Sequence, residues 1–120
     1  MKNVFGEILN SCCNHPITGY FRDGFCRTEE TDFGKHTVCA IITNEFLEFS
    51  KLKGNDLSTP QEQYLFPGLK NGDKWCLCVL RWKEAFDAGC APKVDLESTN
   101  EKALKHVSLD DLVKNAAIKI

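Results

Sequence analysis

No segment of this 120-residue chain approaches the ~20 consecutive apolar residues of a membrane-spanning helix. The first ten residues are interrupted by Gly6 and Glu7 and never supply the unbroken apolar stretch of a secretory leader. We therefore expect a soluble, cytoplasmic protein with no membrane partner. Charge of one sign is missing as well: 15 Lys and Arg stand against 17 Asp and Glu, a net charge of −2. Neither half holds a basic arm or stripe, and without that footprint no nucleic-acid partner is expected. Internal repeats and low-complexity tracts are absent. A length of 120 residues suits one domain, residues 1–120, and 42% hydrophobic with 27% charged content suffices for a core without staples.

Cysteine is what the chain has in excess. Seven occur, at 12, 13, 26, 39, 76, 78 and 90. An odd number argues against a closed disulfide framework, and cytoplasmic thiols stay reduced. Three explanations remain: a metal, a redox or nucleophilic role, or burial as small apolar side chains.

The pattern of elements predicts an α+β fold, a small mixed sheet covered by three or four short helices behind an irregular N-terminal third. Residues 10–37 are punctuated by Asn, Gly, Pro and Asp, with Asp23-Gly24 placed for a tight hairpin between 20–22 and 25–27. Residues 37–43 are β-branched and apolar, a buried strand. From Glu45 to Lys53, Phe46, Phe49 and Leu52 recur every third residue as one helical stripe that Gly54 ends. Thr59-Pro60-Gln61-Glu62 has the form of a capping box and predicts a helical turn. Residues 74–80 are apolar on both faces, which predicts a central strand. A helix carrying Trp82, Ala85 and Phe86, a strand over 93–97, a short helix capped near Asn100 and a final helix opened by Ser108 complete the series.

Three constellations carry candidate chemistry. On a strand Cys76 and Cys78 share a face about 6.6 Å apart. With Cys39 and Cys26 they form a candidate zinc or iron site, with Cys12 or His36 in reserve. The Cys-x-Cys spacing matches no standard zinc signature. Cys39 or Cys76 is alternatively a reactive thiol, with His36 as a candidate catalytic partner; Arg22, Arg27 and Arg81 are further sources of the positive charge that activates a thiolate. The third constellation is polar: Arg22 and Asp23 in one loop and Asn55, Asp56, Ser58 and Thr59 in another, a candidate binding site for a small anion or a protein partner. Trp75 and Trp82 read as core, and His15 and His106 as surface. A binding domain without catalysis is the leading reading, ahead of the metal site and the cysteine enzyme.

Several stretches in order resemble an uncharacterised family of small bacterial proteins, domain of unknown function 2237. They include 18–24, 36–40, 46–50, 54–60, 66–69, Gly72-Asp73, Trp75-Cys76-Leu77-Cys78 and 81–85, and close with Gly89 and Ala91-Pro92. The resemblance spans nearly the whole chain and implies no activity. It places Cys12, Cys26, Cys39, Cys76 and Cys78 on family cysteine positions and leaves Cys13 and Cys90 particular to this chain. Phe25 stands where family members often have a second cysteine and Asn100 where they often have histidine. A family metal site using either position would lack that ligand here.

Overall fold

The β-branched run around Val38 folds as the central strand, β1 (His36–Ile41), of a three-stranded antiparallel sheet. The computed structural model describes residues 1–14, 17–32, 35–64 and 66–117. β2 (Lys74–Cys78) pairs with one edge of β1, and the two-residue β3 (Lys93–Val94) with the other. One parallel bridge, Val94 to Ala116, adjoins the sheet and is its only mixed feature among the described residues.

Register sorts the side chains. Val38 lies opposite Leu77 and Ala40 opposite Trp75, all four buried in the main core. Cys39 lies opposite Cys76, and period-2 alternation sends both to the other face. The register then slips between His36 and Val38, so that His36 rather than Thr37 stands opposite Cys78.

β2 is not the central strand its apolar faces suggested. It lies at the edge, covered by the N-terminal segment, whose Thr18 hydroxyl accepts a bond from the Cys76 N–H at 2.7 Å. That cover is why both faces of β2 are apolar. The strand is also shorter than expected, because Val79 already begins a helix.

Helix α1 (Asn44–Leu52) starts at Thr43, whose hydroxyl accepts from the Phe46 N–H, and buries Phe46 and Leu47. Helix α2 (Val79–Asp87) buries Val79, Trp82 and Ala85. Trp82 is fully buried, stacks on Phe86 and donates its indole N–H to the Pro92 carbonyl. Helix α3 (Leu109–Lys114) opens at Ser108, whose hydroxyl accepts from the Asp111 N–H. No helix among the described residues is long and apolar enough to cross a membrane.

Three local expectations are corrected. Thr59 does not cap a helix: its hydroxyl goes to Asp56, and the short 3-10 turn begins later, at Glu62. The strand over 93–97 stops at Val94 and passes into a 3-10 turn at Leu96–Ser98. No hairpin forms about Asp23-Gly24, because Gly24 donates to the Thr18 carbonyl while its own carbonyl accepts from Cys12. Those bonds fold the segment back on itself.

Replacing Trp82 by Ala is expected to lower the unfolding free energy by about 3–5 kcal/mol. In urea titration this reads as an earlier midpoint at unchanged slope, and a cost below about 1 kcal/mol contradicts the packing described.

Candidate functional site

Four cysteines meet on the face of the sheet opposite the main core. Cys12 pairs with Cys39 and Cys26 with Cys76 as two disulfides, and all four are buried. Because Cys39 and Cys76 are cross-strand neighbours, the bridges sit side by side, and the sulfurs of Cys12, Cys26 and Cys39 lie within 4.8 Å of one another. An odd total did not preclude pairing: Cys13, Cys78 and Cys90 lie outside the two bridges. Disulfide sulfurs carry no negative charge for zinc or iron, so a thiolate metal centre here requires both bridges open. Of the sequence-derived metal set, Cys26, Cys39 and Cys76 come together with Cys12, while Cys78 faces elsewhere.

The bridges fasten the irregular N-terminal third to β1 and β2 and so position the loop that carries Arg22. Gly19 turns this loop with a φ of +101°, where an added Cβ would collide with the Phe25 carbonyl. Arg22 has a φ of +53°, unusual for a residue with a side chain. Its guanidinium donates to the Gly19 carbonyl at 2.6 Å and lies 5.2 Å from the Trp75 ring centroid. Asp23 does not face a ligand: Arg27 holds it through Nε at 2.8 Å and Nη2 at 2.5 Å.

The second loop reaches the same place. Arg22, Asp56, Leu57, Gln61, Phe66 and Trp75 line a cleft of about 200 Å³. Asp56 accepts from the Ser58 and Thr59 hydroxyls at 2.8 and 2.6 Å and from both backbone N–H groups. The Thr59 bond and then the Ser58 bonds hold its carboxyl well below the usual range. Ser58 thus builds the loop, and its carbonyl lies against Gly68, where a Cβ would come within 2.5 Å.

Beyond Leu57 and Trp75 a second cleft of about 220 Å³ continues, lined also by His36, Asn55, Cys78 and Arg81. His36 Nδ1 is 2.7 Å from Oδ1 of the buried Asp32. The other carboxylate oxygen accepts from the His36 N–H and the Thr28 hydroxyl, both at 3.0 Å. Burial alone would raise the Asp32 pKa. The His36 N–H, the imidazole charge and side chain, and Thr28 outweigh it, and the group titrates below its ordinary value.

Of the loop residues singled out from sequence, Arg22 and Asp56 line the first cleft and Asn55 the second, while Asp23, Ser58 and Thr59 line neither. Asp32 was missed, although its place four residues before His36 was a usable signal. Cys39 and Cys76, the candidate reactive thiols, are tied up in disulfides, whereas Cys78 shares a cleft with His36. His106 is exposed; His15 lies outside the described residues.

The sequence model of a family described as "Uncharacterized protein conserved in bacteria", domain of unknown function 2237, matches residues 2–116, and the chain belongs to that family. No curated protein matches it.

The bridges span 27 and 50 residues, for which chain entropy gives about 3–4 kcal/mol each. Cys12→Ala/Cys39→Ala is expected to lower the unfolding free energy by about 3 kcal/mol in denaturant titration; an unchanged value contradicts the cross-link. Asp32 has a depressed folded pKa, so its contribution is full above the ordinary ~4 and is lost as pH falls through the folded value. Thermal unfolding of Asp32→Asn should accordingly fall less steeply than wild type below about pH 4. Equal slopes contradict the assignment.

Proposed function

We propose that this family member is a binding domain whose ligand is a small anion with a flat apolar body, seated on Trp75 with its charge at Arg22. The observation that carries the reading is Arg22 itself. Its backbone is held at positive φ, its guanidinium lies over the indole, and among the described residues no carboxylate is ion-paired with it. Of the nearby acids, Asp23 is ion-paired with Arg27, while Asp56 stays ionised in the same cleft with its oxygens turned to the Ser58 and Thr59 hydroxyls. A left-handed backbone costs a non-glycine residue roughly 1–2 kcal/mol. A hydrogen bond to a charged group returns about 1.5–3 kcal/mol, so an anion at Arg22 offsets the strain.

The floor supports the rest of the reading. Phe66 packs edge-on against Trp75 at 5.1 Å, fixing the indole plane, and Leu57 continues the apolar wall. Such a cleft, with few polar groups on an aromatic base, suits a planar body more than a sugar or a bare inorganic ion.

Titration with benzoate and naphthoate, each beside its uncharged amide, tests this by two-dimensional NMR. The carboxylates should shift the Trp75 indole N–H and the Arg22 Nε–H together, with the amides about tenfold weaker or worse. Arg22→Gln should erase the difference between acid and amide. Binding that ignores charge, or shifts that map away from both residues at millimolar ligand, would falsify the proposal.

A further inference from the structure

The second half of the groove holds a set of groups that ligand binding leaves unused. His36 and Cys78 are Cα partners at the register slip between β1 and β2. Both line the same cleft. Asp32, buried and held by the His36 N–H and Thr28, accepts a hydrogen bond from His36 Nδ1 at 2.7 Å. A carboxylate only accepts, so Nδ1 carries the proton and Nε2 of the neutral ring is left as the basic nitrogen.

We propose that Cys78 is a nucleophile with His36 as its general base and Asp32 as the positioning carboxylate, forming a thiol acyl-transfer site for small activated esters or thioesters that bear an anionic group. The anionic preference rests on the binding reading of the adjoining cleft. The nucleophile stands on its own geometry.

In the forward step the Cys78 thiol proton passes to His36 Nε2 as Sγ attacks the acyl carbonyl. The bond to the leaving alcohol or thiol breaks, and that group departs with the proton from His36. Water, activated by the same nitrogen, then attacks the Cys78 thioester, releasing the acid and returning the proton to sulfur. No oxidant is required. Each role follows the nucleophile, base and orienting-group logic of thiol catalysis.

Cys78 is the N-cap residue of the nine-residue α2, and its side chain makes no capping bond. Arg81 shares the cleft, although it also donates to the Lys53 carbonyl and to Glu84. Five of the other six cysteines are poorer candidates. Cys12, Cys26, Cys39 and Cys76 are disulfide-bonded. Burial, then Glu45, pushes the Cys90 thiol up. Cys90 is therefore an internal standard in every sample.

The test uses the full chain in its disulfide-bonded form and two probes. Iodoacetamide is neutral and small, and peptide mapping at neutral pH should find Cys78 alkylated at least tenfold faster than Cys90. p-Nitrophenyl acetate should release about one equivalent of p-nitrophenolate in a burst, with the acetyl group on Cys78. Cys78→Ala should abolish the burst, and His36→Gln should slow acylation about a hundredfold, the general-base contribution. Asp32→Asn should slow it less and move the pH at which the rate levels off, a change that loosened packing alone does not produce. Should the variants fail to fold, the wild-type ratio of Cys78 to Cys90 labelling still decides. Equal labelling overturns the proposal, as does acetyl found mainly on lysines or a Cys78 rate indifferent to His36→Gln. A protein that binds no aromatic carboxylate yet labels first at Cys78 loses the binding reading and keeps this one.

Discussion

Two side-by-side disulfides between an irregular loop segment and adjacent strand positions are the constraint on which this structure depends. The described residues of 1–32 contain no helix and no named strand, so they have little intrinsic means of holding a shape. Cys12–Cys39 and Cys26–Cys76 fix two points of that segment to neighbouring residues of β1 and β2. Polar bonds finish the attachment: Thr18 receives the Cys76 N–H, and the Asn100 amide donates to the Cys26 carbonyl. These contacts seal the edge of β2 that would otherwise present an unpaired strand.

The consequence for function is positional. Between the two anchors the chain throws out the Gly19–Gly24 turn, which delivers Arg22 over Trp75. Just after the second anchor it delivers Thr28 and Asp32 to His36. The opposite wall comes from the Asp56 loop, built by its own Ser58 and Thr59 bonds. One groove therefore carries the Arg22 guanidinium at one end and, at the other, Cys78 together with the His36–Asp32 pair. Leu57 and Trp75 are common to both ends.

Much of the fold could be read from residue order, because the decisive signals were local. The Phe46 stripe with Thr43 before it, the Ser108 cap, and the β-branched run around Val38 each determine an element within a few residues. Signals with two possible partners were read less well. Thr59-Pro60 looked like a helix cap, but Asp56 three residues earlier competed for the hydroxyl. Asp23-Gly24 looked like a hairpin, but the Gly24 bonds went to Thr18 and Cys12. The groove loops were identified by their polar residues; their shared floor was not, since Trp75 reads as core from sequence. Cysteine pairing was out of reach for a sharper reason. Cys76 and Cys78 have the same strand parity, and only the register slip beside His36 and the start of α2 at Val79 send one into the disulfide layer and the other into the groove.

The most direct test of this account is a peptide map of the oxidised protein, unfolded in alkylating agent without reductant, with metal content measured on the same sample. The account predicts Cys12 linked to Cys39 and Cys26 to Cys76, alkylation confined to Cys13, Cys78 and Cys90, and no stoichiometric zinc or iron. All seven cysteines alkylated, with about one metal ion per chain released on unfolding, would contradict it and make the cluster a thiolate centre instead.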